Sequence, residues 1–531
     1  MEMEVLPKLW EALSPEIKLQ IFGHLASQNL SENAANLRVA PLATVNKEWQ
    51  KYFESITFQS LTLQQYHVAQ LQTMVSPHPR RVEAVRHIHL RLELPRYFGA
   101  NADKPETKKE VKVSDTIFNK ATRKLFSIVS RWPANPDQEC VFEISAHSPS
   151  DFQARFERMQ YYANNTLFHF RPNNPRDHEG DTEPIPAWAE EEWFLEMNGP
   201  QIGYYEPTRA SKDRVVGSGL CSTMKVAKFA AVKKFDAFIL RRQFFRTFAA
   251  GGGINVILDA MPNLRSFTYE PWHGMTEVDC ELQDEGYCEL FRCLSGHEKL
   301  QNVTIFKSFE AYLSHDYRYA RTSLPTPDPV VGYQAAVSSS QADAVTTLNL
   351  CFVTDAMDFF RSFWNPEQFP PEPPLILPSD EMRWAKLEKL VLTSDALRRD
   401  GDHNNLVCIA ADAAKNMPRL AVMRVWNCGD RHCAYILYTR DLYNLSSPKL
   451  RLGSTWGFKL SENANDQWES VVEVHQCRYP LAIKYIAYKK DHMRCYTSLT
   501  RWNWTEEHDF PNVATNTTLK EMRQDEKHER Y

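Results

Sequence analysis

The sequence predicts a mixed α/β protein, a short N-terminal helical module followed by an irregular α/β solenoid of strand–helix repeats. Three observations carry this prediction. Two apolar sets at helical spacing open the chain: Ile17, Ile21, Phe22 and Leu25, then Leu42, Val45, Trp49 and Tyr52/Phe53. Seven segments at the spacing L-x-x-L-x-L then stand out. Several of these matches follow a helix-like run and a small-polar turn, as in Asp259-Ala-Met-Pro-Asn-Leu264 and Ala414-Lys-Asn-Met-Pro-Arg-Leu420.

The first helix has a legible start. Ser14 can cap free amides, Pro15 suits the first helical position, and Glu16 complements the helix dipole. A polar loop, Ser27 to Asn36, separates it from the second apolar set. Helices this short bury little surface alone, so they must lean on neighbours or on a partner. The repeat then reads Phe53-x-x-Ile56-x-Phe58 and recurs from Val85, Leu264, Leu300, Val345, Leu387 and Leu420. These starts are irregularly placed and further apart than in a regular leucine-rich repeat, as if each helix or loop were extended. A single strand–helix unit cannot bury its apolar face; stacked units share one core and one parallel sheet.

Residues 1–60 therefore form the helical module and 61–505 the repeat body. Within the body, 170–219 is a loop-rich insertion dense in Pro, Asn, Asp, Glu and Gly. Pro325 to Pro329 and Pro370 to Pro378 are connectors that cannot be helical. Residues 506–531 are charged with few apolar side chains and read as a mobile tail.

Composition narrows the function. A formal net charge of -5 gives no reason to expect nucleic acid. No apolar run reaches transmembrane length, and the acidic N-terminus lacks a signal-peptide core. Eleven cysteines without regular spacing read as reduced thiols of the cytosol or nucleus.

No catalytic constellation emerges. Cys280, Cys288 and Cys293, and Cys428, His432 and Cys433, lack paired zinc-ligand spacing and read as ordinary thiols and a surface histidine. Gly251-Gly-Gly253 is followed by no Lys-Ser/Thr and reads as a helix-terminating turn. No G-x-S-x-G nucleophile elbow occurs. Arg241-Arg-Gln-Phe-Phe-Arg246 reads as a helix with one wet face. No metal or cofactor is expected. Trp272, Trp364, Trp426 and Trp456 each lie within or just after a strand-like segment. They are either anchors for a protein target or packing for bulky, irregular repeats.

The opening residues carry a likeness. Leu13-Ser-Pro-Glu-Ile17 with Ile21 and Leu25, then Leu42, Val45, Trp49 and Phe53, resembles an F-box of the fungal type. There, a Trp-x-x-x-Phe-Glu run leads directly into the first repeat. Two departures stand out: Ser14 separates Leu13 from Pro15, and the loop after the first helix is long. The repeat body resembles leucine-rich-repeat partner regions in architecture only. The resemblance implies a non-catalytic substrate receptor of a cullin-RING (SCF-type) ubiquitin ligase. By position it assigns Leu13, Pro15, Ile17, Ile21, Leu25, Leu42, Val45 and Trp49 to the face that docks on a Skp-type adaptor. The repeat body would hold an unknown target protein. The alternative is a leucine-rich-repeat-like interaction scaffold with no ubiquitin role.

Overall fold

In each L-x-x-L-x-L segment the last two apolar residues are two apart, so in a strand both point to one face. That alternation builds the sheet. The computed structural model describes residues 10–31, 40–97, 104–135, 137–148, 150, 214, 219–220, 228–242, 246, 248–271, 277–307, 344–360, 384–429, 432–443 and 445–488. The expected 170–219 insertion (Arg214 and Gly219 apart), both proline-dense connectors and the 506–531 tail lie outside them.

Among the described residues, twelve strands form one sheet in sequence order. They are β1 (Ser60–Gln64), β2 (His87–Glu93), β3 (Val141–His147), β4 (Ala237–Leu240), β5 (Ser266–Tyr269) and β6 (Asn302–Phe306). Then come β7 (Thr347–Asp355), β8 (Lys389–Thr393), β9 (Val422–Gly429), β10 (His432–Thr439), β11 (Lys449–Ser454) and β12 (Ala482–Ala487). Neighbours from β1 to β9 are parallel, as are β11 and β12. Only β10 runs the other way, antiparallel to both β9 and β11.

The register aligns the apolar pairs into two columns. One runs through Ile88, Phe142, Phe238, Phe267, Val303, Leu348, Leu390 and Met423; Leu90, Ile144, Leu350, Leu392 and Val425 fall in the second. All are buried in one continuous core with residues of the helices. Those helices are α3 (Pro79–Ala84), α4 (Lys108–Val129), α5 (Gly252–Asp259), α6 (Glu277–Ser295), α7 (Ala356–Phe360), α8 (His403–Lys415) and α9 (Glu462–Val474). They follow α1 (Pro15–Ser31) and α2 (Lys47–Thr57) of the N-terminal region. No helix among the described residues is long and apolar enough to cross a membrane.

Helix starts obey local chemistry. Ser14 Oγ accepts from the Ile17 amide, and Pro15 is the first residue of α1. Asn46 caps α2 by accepting from the amides of Glu48 and Trp49. Thr107 and Glu110 form a reciprocal capping box on α4.

Three expectations need correction. Phe53-x-x-Ile56-x-Phe58 is not a strand: Phe53 and Ile56 lie on α2. The strand register begins five residues later, with Leu61 opposite Ile88 and Leu63 opposite Leu90. Phe58, Leu61 and Leu63 therefore hold the repeat positions, since an i, i+3 apolar pair also satisfies a helix. The Gly251-Gly-Gly253 turn starts a helix instead of ending one. Gly251 takes φ 79° and Gly252 φ 44°, left-handed values that glycine tolerates. Arg241 and Arg242 sit on no wet helix: they follow β4 and are buried at 6% and 1% exposure.

Candidate interaction surfaces

The N-terminal helices close on an aromatic cluster. Phe22 is buried, with ring centroids of Trp10 at 5.4 Å, Trp49 at 5.2 Å, Tyr52 at 4.8 Å and Phe53 at 5.4 Å. Leu25, Leu42 and Ile56 pack around it. Trp10 Nε1 donates to Glu48 at 3.0 Å, tying the segment before α1 to the first turn of α2.

This packing sorts the residues placed on the docking face. Leu25, Leu42 and Trp49 serve the module's own core. Ile17 and Val45 stand out at 43% and 58% exposure, Pro15 is exposed, and Leu13 and Ile21 are half-buried. Leu19, 56% exposed on α1 but two residues from Ile17 and so on another side of that helix, was not singled out by the motif. Large apolar side chains exposed on a small helical unit are the usual material of a partner interface.

The module is clamped to the sheet. Only Phe58 and Gln59 separate α2 from β1. Arg81 on α3 binds both carboxylate oxygens of Glu54, at 2.6 and 3.1 Å, and donates to the Met74 carbonyl. Its guanidinium lies 4.8 Å from the Phe58 ring centre. The Arg81 hydrogen bond holds the Glu54 carboxyl below its ordinary value.

The second surface is the sheet face opposite the helix-packed columns. On β2 to β4 it is ionic. His87 Nε2 lies 2.9 Å from Glu143 Oε2, and Ser60 Oγ lies 3.1 Å from His87 Nδ1. A neutral His87 therefore donates from Nε2 and accepts at Nδ1. Arg241 Nε sits 3.3 Å from the other Glu143 oxygen, an ion pair rather than an aligned hydrogen bond. His89 Nε2 is 2.7 Å from Ser145 Oγ. Burial alone would raise Glu143, but Arg241, His89 and His87 together bring its carboxyl down to about 2. Burial drives His89 down to about 3, against the pull of Glu143. With His89 neutral, Arg241 and His87 are the partners that hold Glu143 ionised at neutral pH.

Further along, the same face turns aromatic. Phe306, Cys351, Phe352, Trp426, Cys433 and Tyr435 form a second buried cluster. Phe352 adopts φ 60° where the β7–β8 register shifts, and its ring meets Trp426 edge-on at 5.1 Å. The Phe352 amide is satisfied by Thr393 Oγ1 at 2.8 Å.

Of the four tryptophans considered as anchors, Trp272 and Trp364 lie outside the described residues. Trp426 is 1% exposed and serves this second cluster, so it does not stand free as a target anchor. Trp456, half-buried, packs on the main core with its ring centre 5.4 Å from that of His403. No group of three potential metal ligands occurs among the described residues.

Residues 295–502, from the end of α6 through β12, match a family of unknown function, DUF6546. Comparison with curated proteins and with solved structures finds no match.

Buried histidines give the molecule a pH signature. His475 Nε2 lies 3.0 Å from the Ala414 carbonyl and Nδ1 3.2 Å from the Tyr438 hydroxyl, which suits a neutral ring donating from Nε2. Burial, then Arg440, lowers it to about 4. Both His89 and His475 thus stay neutral in the fold to well below 6.5, where the unfolded chain already takes up protons. Stability is complete above pH 6.5 and falls as pH drops towards 4, by about 1 kcal/mol per unit per group. Glu143 adds its own loss from 4.5 down to about 2. Urea midpoints at pH 7, 6 and 5 should decline steadily; a flat series would rule this out.

Proposed function

We propose that this protein is a non-catalytic substrate receptor of a cullin-RING ubiquitin ligase. Its F-box-like N-terminal module docks on a Skp-type adaptor, and its leucine-rich-repeat-like α/β solenoid holds a target protein. The observation that carries this reading is the exposure of Ile17, Leu19 and Val45 on a helical unit whose aromatic interior is already complete without them. The clamp between Glu54 and Arg81 supports it, because a receptor acts by proximity and orientation and needs its docking end fixed to its target-holding end. Chemistry in such a complex belongs to other subunits. The compartment that fits is the cytosol, the nucleus or both.

The test is capture of a Skp-type adaptor by the full chain and by Ile17→Asp and Val45→Asp variants. Both positions are on the surface, so the fold should survive. Adaptor capture by the parent chain and a drop of at least about tenfold in either variant is the expected result, since a charge placed in an apolar interface is left desolvated. No capture by the parent chain, or equal capture by both variants, would leave the second reading. That reading is an interaction scaffold whose N-terminal helices merely cap the first strand. It draws on the same cluster, because among the described residues β1 has no strand partner on its outer side and the module adjoins it.

A further inference from the structure

We propose that a basic cleft on the outer face of α4 binds an acidic stretch of a partner protein. The cleft has a volume of about 510 Å³ and is lined by Lys120, Arg123 and Lys124 of α4, by Arg131 just beyond its end, and by Gln72 from the segment that precedes α3. Among the described residues, no Asp or Glu lines it. In a chain with 67 acidic and 62 basic residues, four cations converging without a carboxylate are a local inversion of the overall charge.

Helical geometry produces the convergence. Asn119, Lys120, Arg123, Ser127 and Arg131 recur at three- and four-residue steps, so they share one face. The opposite face, with Phe118, Leu125, Phe126 and Val129, is buried in the main core. The acids of α4 are spent elsewhere: Glu110 pairs with Arg214 at 3.1 Å, and Asp115 is absent from the lining. Among the described residues, Lys120, Arg123, Lys124 and Arg131 make no ion pair with a carboxylate. Arg123 is held in place by Asn119 Oδ1, 3.3 Å from its Nη2, and by the ring of Phe229, 6.0 Å from its guanidinium carbon. A pre-positioned guanidinium flanked by two ammonium groups, with amide and hydroxyl side chains between, matches successive carboxylates on an extended peptide.

Charge complementarity selects the occupant. Single-stranded nucleic acid sites combine a basic groove with aromatic platforms for the bases, and no aromatic side chain lines this cleft. The net charge of -5 opposes a polyanion that would span far beyond it. A short acidic segment of a protein meets the cations without meeting the rest of the surface. The inference stands apart from adaptor docking, since α4 lies in the helix layer and not in the N-terminal module.

The experiment is fluorescence anisotropy of the full chain with a labelled peptide of alternating Glu and Ser. A matched peptide with Gln for Glu and a DNA oligonucleotide of equal charge serve as comparisons. The Glu peptide should bind, the Gln peptide should not, and the oligonucleotide should bind more weakly. Lys120→Glu/Lys124→Glu should weaken the Glu peptide at least about tenfold, as should raising salt from about 50 to 300 mM. Both lysines are exposed, so circular dichroism should be unchanged. Arg131→Ala, at the far end of the cleft, is a second, milder variant that should weaken binding severalfold. Absence of binding, equal affinity in the charge-reversed variant, or tighter binding of the oligonucleotide would overturn the proposal.

Discussion

Glu143→Ala is expected to destabilise the protein by about 3–5 kcal/mol, because it removes the carboxylate that His87 and Arg241 share in a site that burial has taken out of water. The carboxylate is 1% exposed and is the common partner of both groups. Removing it takes from the Arg241 guanidinium, at 6% exposure, the carboxylate that faces it at 3.3 Å. Glu143→Gln keeps an acceptor for His87 but not the charge opposite Arg241, so it should cost less, about 2 kcal/mol. The cost of Gln is the informative part, since a purely steric role would make the isosteric Gln harmless. Urea midpoints at pH 7 decide it. Equal midpoints for all three proteins would mean that the ionic cluster contributes nothing to stability.

Phe22→Ala should act locally and as strongly, removing about 3–5 kcal/mol from the N-terminal module. Four rings lie within 5.4 Å of Phe22, and the cluster has few other members to close over the cavity. The sheet core does not include Phe22, so its strands should keep their protection. Hydrogen exchange should show amides of α1 opening early while β2 and β3 are unchanged. Adaptor capture, if the proposed function holds, should disappear with it. Loss of protection throughout the sheet would contradict the separation of the two cores.

Much of the sheet was legible because its repeat is spelled in residues that must all be buried. Val85, Leu264, Leu300, Val345, Leu387 and Leu420 each open a segment whose last two apolar residues enter the strand columns. Elsewhere the same physics hid the strand. At β3 the first repeat position is Glu139, so the pattern has no opening apolar residue. β4 follows Phe235-x-x-Phe238-x-Leu240, which fits the spacing but stands isolated beyond a long loop-rich stretch. β10 shows no alternation because both its faces are covered: Ala434, Ile436 and Tyr438 join the main core, and Cys433, Tyr435 and Leu437 the second cluster.

The docking residues were legible as a set but not as roles. Helical spacing identifies Leu25 and Ile17 equally, and only packing reveals that one faces inward and the other outward. The ionic face escaped notice although His87-Ile-His-Leu-Arg91 alternates cleanly. Alternating polar residues ordinarily mean solvent, and nothing local says that these are buried. The basic cleft needs Gln72 and α4 to meet across the fold, which no single segment encodes.

The lone antiparallel strand has a consequence for curvature. Packed helices occupy about 8–10 Å each, whereas neighbouring strands are about 4.8 Å apart. Where a helix packs behind each strand, as α5 and α6 do between β4 and β6, the helix layer is the wider one, which favours a sheet bent towards its ionic and aromatic face. Between β9 and β11 the chain inserts β10 without a helix of its own, while α8 and α9 remain direct neighbours. From α8, which connects β8 to β9, to α9, which connects β11 to β12, the sheet steps through three strand spacings, about 14 Å, against one helix spacing of about 8–10 Å, so the mismatch that favours bending is removed there.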